Sequence, residues 1–82
     1  MINVSKMISI RGILWESIHN EMVVRSGTDS FIRNMMKEYI NNRTDLDEEE
    51  RKYLYRVSCS MIKEQRAEKI NHDEVKKNEN HT

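Results

Sequence analysis

Five side chains, Ile32, Met35, Met36, Tyr39 and Ile40, recur at i, i+3, i+4, i+7 and i+8. That spacing marks one apolar face of an α-helix, and the alternate-residue period of a strand does not fit it. Similar stripes lie on either side. Upstream, Met7, Leu14, Trp15, Ile18 and Met22 share a helical face, with Ile10 beside them. Downstream, Leu54, Val57 and Met61 do the same, flanked by Tyr53 and Ile62. The chain has no proline and only two glycines, so little in it breaks a helix. The pattern predicts an all-α protein of three helices, near residues 3–25, 29–42 and 46–69.

Local signals set the expected boundaries. Asn3 or Ser5 suits the start of the first helix. Gly12 interrupts it at about 1 kcal/mol relative to alanine. Residues 6–11 also fit a short strand broken at Gly12. Gly27 suits the left-handed position after a helix end, and Thr28 or Asp29 suits the cap of the second helix. Asn41-Asn42 ends that helix. Thr44 with Asp47, or Asp45 with Glu48, has capping-box spacing at the start of the third. Its apolar stripe fades after Ile62, where Glu64, Gln65 and Glu68 take the inward positions. Residues 71–82 hold one apolar side chain, Val75, too few to offset the entropy of ordering them. The expected organisation is a helical domain over 1–70 and a flexible tail over 71–82.

A chain of 82 residues, 37% of them apolar, has a thin core. At this size folding buries only about 60% of the surface the unfolded chain exposes. Self-association or a protein partner is therefore expected, through Leu14, Trp15, Ile18, Met22, Ile32, Met35, Met36 and Tyr39. Tryptophan is frequent at interface hot spots and methionine adapts to varied surfaces, although the same side chains also build cores.

The formal charge is zero, +2 over residues 1–44 and −2 over 45–82. That is not the footprint of phosphate neutralisation, so no nucleic-acid partner is expected. Cys59 is the single cysteine and cannot form an internal disulfide. It sits mid-helix with no histidine nearby in sequence. His19, His72 and His81 do not form metal-ligand spacings with it. The acidic run Asp45–Glu50 reads as the charged first turn of a helix, and no glycine-rich phosphate loop is present. The expectation is a non-enzymatic protein with no catalytic residue, metal or cofactor. The N-terminal stretch lacks a continuous apolar run and no segment is apolar enough to span a membrane, so the expected location is cytoplasmic.

Lysine, asparagine and isoleucine make up 24 of the 82 residues, a composition common in AT-rich phages and mobile elements. Taken whole, a small, neutral, helical chain of this composition resembles the small cytoplasmic antiholins of T-even phages. That resemblance implies a protein that binds the cytoplasmic part of a holin, a membrane protein, and delays lysis from the host cytoplasm. A second resemblance covers residues 6–40. Lys6, Ile8, Ile10 and Arg11, followed by Leu14–Arg25, Gly27 and Phe31–Ile40, resemble the strand and two helices of ribbon-helix-helix repressors. It implies a dimer whose paired strands enter the major groove, with Ser9 and Arg11 facing bases and Lys6 a phosphate. The proline that usually follows that strand is missing here, and the turn at Gly27 is short. Residues 5–12 separate the two readings, since a helix there suits the first and a strand the second.

Overall fold

The computed structural model describes residues 2–79, with side chains through Ile70. These residues form three helices and no strand. Helix α1 spans Val4–His19 and passes directly into a π-helical turn at Asn20–Val24; α2 spans Asp29–Asn42 and α3 spans Glu48–Glu79. The all-α expectation holds, and α2 has the bounds its stripe predicts. Residues 6–11 lie inside α1, so the strand alternative is not adopted. The 32 residues of α3 correspond to about 48 Å at 1.5 Å per residue. Its backbone passes the end expected near residue 69. The flexible tail expected at 71–82 concerns side chains, and from residue 80 also backbone, outside the described residues.

Helix α3 is the spine. Helices α1 and α2 pack along it and touch each other far less. Asn3 and Lys6 lie beside Glu50, while Met22 lies beside Lys69, so α1 runs parallel to α3. Asp29 lies beside Arg66, so α2 runs antiparallel to both. The buried core comprises Met7, Ile10, Leu14, Ile18 and Met22 from the first helix and its π-turn, Ile32, Met36 and Ile40 from α2, Leu46 from the loop, and Leu54, Met61 and Ile62 from α3. Each of these side chains, when fully buried, contributes about 1.5–3 kcal/mol in area-transfer terms. Ser58, also fully buried, satisfies its hydroxyl by donating to Leu54 O at 2.8 Å.

The first two caps fall among the expected residues. The Asn3 side chain accepts from Lys6 N at 3.0 Å, and Thr28 Oγ1 accepts from Phe31 N at 3.2 Å. The third departs from expectation. The capping box is Asp47 with Glu50: Glu50 N donates to Asp47 Oδ1 at 2.8 Å, and Asp47 N donates to Glu50 Oε1 at 3.1 Å. Neither Thr44 nor Asp45 caps α3. Asp45 instead takes Arg43 in a two-pronged ion pair, at 3.0 and 2.8 Å. That contact holds the Asp45 carboxyl at about 2.

Glu50 fits the box best because the rest of the fold needs its carboxylate. It is 2% exposed. It also accepts from Asn3 N at 3.1 Å and faces Lys6 Nζ at 2.9 Å. The Lys6 ammonium, then the Asp47 amide, bring its pKa down to about 2.

The junction between α1 and α2 also departs from expectation. The left-handed residue is Ser26, with φ 55°, and Gly27 has no positive φ. Gly27 instead answers a close approach. A Cβ there would stand 3.2 Å from Glu21 O and 3.5 Å from Ile32 Cγ1. Its amide donates to that same Glu21 oxygen at 2.7 Å, closing a turn one residue wider than the usual helix-terminating motif because the preceding turn is π-helical.

Candidate protein-binding surface

Helix α1 carries more apolar surface than the chain buries. Its inward face holds Met7, Ile10, Leu14 and Ile18. A second stripe, Val4, Ile8, Gly12 and Trp15, follows at helical spacing on an adjoining face. Val4 is 67% exposed and Ile8 is 62% exposed, while Trp15 is half-buried. A surface helix in a globular protein normally shows one apolar face and a polar remainder. Helix α2, with Ile32, Met36 and Ile40 inward and mostly polar side chains outward, comes closer to that pattern.

Beside the second stripe lies an open groove between α1 and α3. Ile8, Arg11, Gly12, Trp15 and Met61 line one stretch of it. Arg11, Trp15, Arg56, Val57, Ser60, Met61 and Glu64 line the next. Arg11, Trp15 and Met61 are common to both, and Trp15 and Met61 form an apolar floor. The rim is charged, with Arg11 and Arg56 toward one end and Glu64 toward the other. Trp15 is held in place from behind. The buried Gln65 side chain donates from Nε2 to Trp15 O at 3.0 Å, spanning 50 positions of sequence. Arg11 leans on α3 through Tyr53 Oη at 3.4 Å. Gly12 has no atom within 4 Å of where a Cβ would sit, so its smallness answers no contact inside the chain and leaves the groove wall low.

The sequence-predicted interface residues divide into two groups. Leu14, Ile18, Met22, Ile32 and Met36 are at most 2% exposed and belong to the chain's own core. Trp15, Met35 and Tyr39 are half-buried at its edge and retain surface. Tyr39 Oη accepts from Arg43 at 2.8 Å; the Asp45 pair, and then this bond, raise the Arg43 pKa. Of the residues tied to DNA by the repressor resemblance, Lys6 is bound to Glu50 and to Asp45 O, whereas Ser9 and Arg11 lie on the exposed side of α1. Ile8, Gly12, Val57 and Met61 were not expected at a surface site. The signal for the α1 members was available: Val4, Ile8 and Trp15 are apolar at i, i+4 and i+11, a second stripe beside the first.

Among the described residues, no group of three His, Cys, Asp or Glu side chains is placed to hold a metal ion, and no helix is long and apolar enough to cross a membrane. Cys59 is half-buried and free. No protein-family model, curated protein or solved structure matches the chain.

Proposed function

We propose that this chain is a non-enzymatic regulator acting through protein–protein contact, with the Trp15 face between α1 and α3 as its contact surface. The observation that carries the reading is the second apolar stripe of α1, which the chain leaves uncovered while burying the first. An apolar floor with a charged rim suits a helix laid into a groove. Under the antiholin resemblance the partner is the cytoplasmic segment of a phage holin, and the regulated event is the timing of lysis in the host cytoplasm. The repressor reading gains no support. Its strand residues lie in α1, and the lysine it assigns to a phosphate is paired with Glu50.

Trp15 is the only tryptophan, so its fluorescence reports directly on this face. Titration with a tryptophan-free synthetic peptide of a T-even holin cytoplasmic segment is expected to shift its emission to the blue and to saturate. Calorimetry of Ile8→Asp, an exposed position, should show at least tenfold weaker binding with helicity retained. A folded protein whose emission and heat are unchanged by the peptide sinks the holin reading. Retention of its own upstream DNA in a gel shift with competitor, lost in Arg11→Ala, installs the repressor instead.

A further inference from the structure

We propose that a second copy of this chain covers the groove, with the two α3 helices crossing antiparallel about a twofold axis at Ser60. The inference does not rest on the antiholin reading; a second copy and a partner's helix compete for the same face. It rests on charge complementarity built into the groove wall. Arg56, Ser60 and Glu64 form one exposed ridge of α3 at i, i+4 and i+8. Arg56 and Glu64 lie four residues to either side of Ser60, about 12 Å apart along the helix axis, too far to pair within one chain. Among the described residues neither side chain has a hydrogen bond or ion pair.

An isologous contact sets each residue against its mirror position in the other copy. An antiparallel crossing at Ser60 therefore places Arg56 against Glu64 of the second copy and Glu64 against Arg56 of the second copy. Both charge pairs form at once. A parallel crossing would oppose like charges at both positions, so the pattern selects the antiparallel one. The side chain on the axis is a serine, small enough for the helices to approach. Val57 and Met61 sit just inside the ridge, and Trp15 and Ile8 of α1 continue the apolar surface outward. Gly12, which meets nothing in its own chain, keeps the α1 side of the groove low enough for a helix to enter.

Charge reversal tests the geometry without touching the core, because Arg56 and Glu64 are both exposed. In sedimentation equilibrium the wild-type chain is expected to dimerise. Arg56→Glu, which opposes glutamates at both pairs, should raise the dissociation constant at least tenfold, and Glu64→Arg, which opposes arginines, should do the same. The double variant R56E/E64R restores both pairs with the signs exchanged and should dimerise again. An equimolar mixture of the two single variants should form a heterodimer, since each supplies what the other lacks. Circular dichroism of each variant confirms that the helices persist. A wild-type chain that stays monomeric at several hundred micromolar overturns the proposal and leaves the groove to a different protein. A dimer indifferent to both reversals, or one not recovered in the double variant, overturns it as well.

Discussion

The two ends of the contact between α1 and α3 solve opposite problems. At the start of α3 the helix N-termini of α1 and α3 lie side by side, because the two helices run parallel. Free backbone N–H groups collect there, as at any helix start. A carboxylate answers them: Glu50 accepts from Asn3 N and Asp47 N and faces Lys6. Some fifteen residues further along α3, the groups that face it are backbone carbonyls of α1, its π-turn and the junction. Donors answer those. Gln65 reaches Trp15 O, Lys69 reaches Met22 O at 3.3 Å, and Arg66 reaches Gly27 O at 3.0 Å while pairing with Asp29. One helix thus presents acceptors at one end and donors at the other, with an apolar stretch between. The difference teaches that the fading of the apolar stripe after Ile62 marks a change from burial to carbonyl capping, with the packed face continuing.

Substitutions at the two ends and between them break this comparison in order of size. Leu54→Ala, in the apolar stretch and fully buried, should cost about 2–5 kcal/mol in urea unfolding, most of the stability of such a domain. Glu50→Gln should come next, below Leu54→Ala and above any donor-end change, because it leaves an ammonium and two amides competing for one neutral group.

Acid offers a reversible version of the same test. The folded Glu50 carboxyl, at about 2, lies below its ordinary 4.5, so its stabilisation is complete above pH 4.5 and is lost as pH falls toward 2. Hydrogen exchange across that window should show the Asn3 and Asp47 amides losing protection. The backbone carbonyls at the other end do not titrate. Equal loss of protection at both ends would show that the ends are not independent.

Arg66→Ala, at a partly exposed site, should cost about 1 kcal/mol, or about 4–8 °C in Tm for a domain of this size. Its effect should be confined to the junction between α1 and α2. At that junction Ser26→Gly should stabilise by about 0.5–1 kcal/mol, because glycine takes a positive φ without the strain of a Cβ. The smallest change, Gly12→Ala, should stabilise α1 by a similar 0.5–1 kcal/mol at most. It sharpens a second contrast as well, since a methyl group facing the groove should strengthen the folded chain while weakening its self-association. Thermal melts and sedimentation of the same sample separate the two effects.

Much of this was legible in local pattern. Period and punctuation located α2 to the residue, and Asn3 and Thr28 were recognisable caps because a cap depends on neighbours three positions away. The inward stripe of α1 was legible for the same reason. The candidate surface was less so. Leu14, Ile18, Met22, Ile32 and Met36 were assigned to an interface, and the chain uses them for its own core, because amphipathic spacing states that a face is buried without saying what buries it. The second stripe through Ile8 was hidden beside the first in a helix apolar on more than one side.

By itself, then, the amino-acid sequence determined the helical class, the three periodic faces and the caps whose partners lie one turn away, all consequences of short-range geometry. Three features were decided only by tertiary structure. The Asp47–Glu50 box, and neither Thr44 nor Asp45, caps α3, and Lys6 and Asn3 arrive from more than forty residues upstream to share the Glu50 carboxylate. At the junction the left-handed conformation falls to Ser26, while Gly27 sits where the Glu21 carbonyl and Ile32 close in. Gln65 turns inward and donates to Trp15 O, fifty positions away. In the first and last of these a polar group meets a partner distant in sequence, a pairing that is invisible to local periodicity.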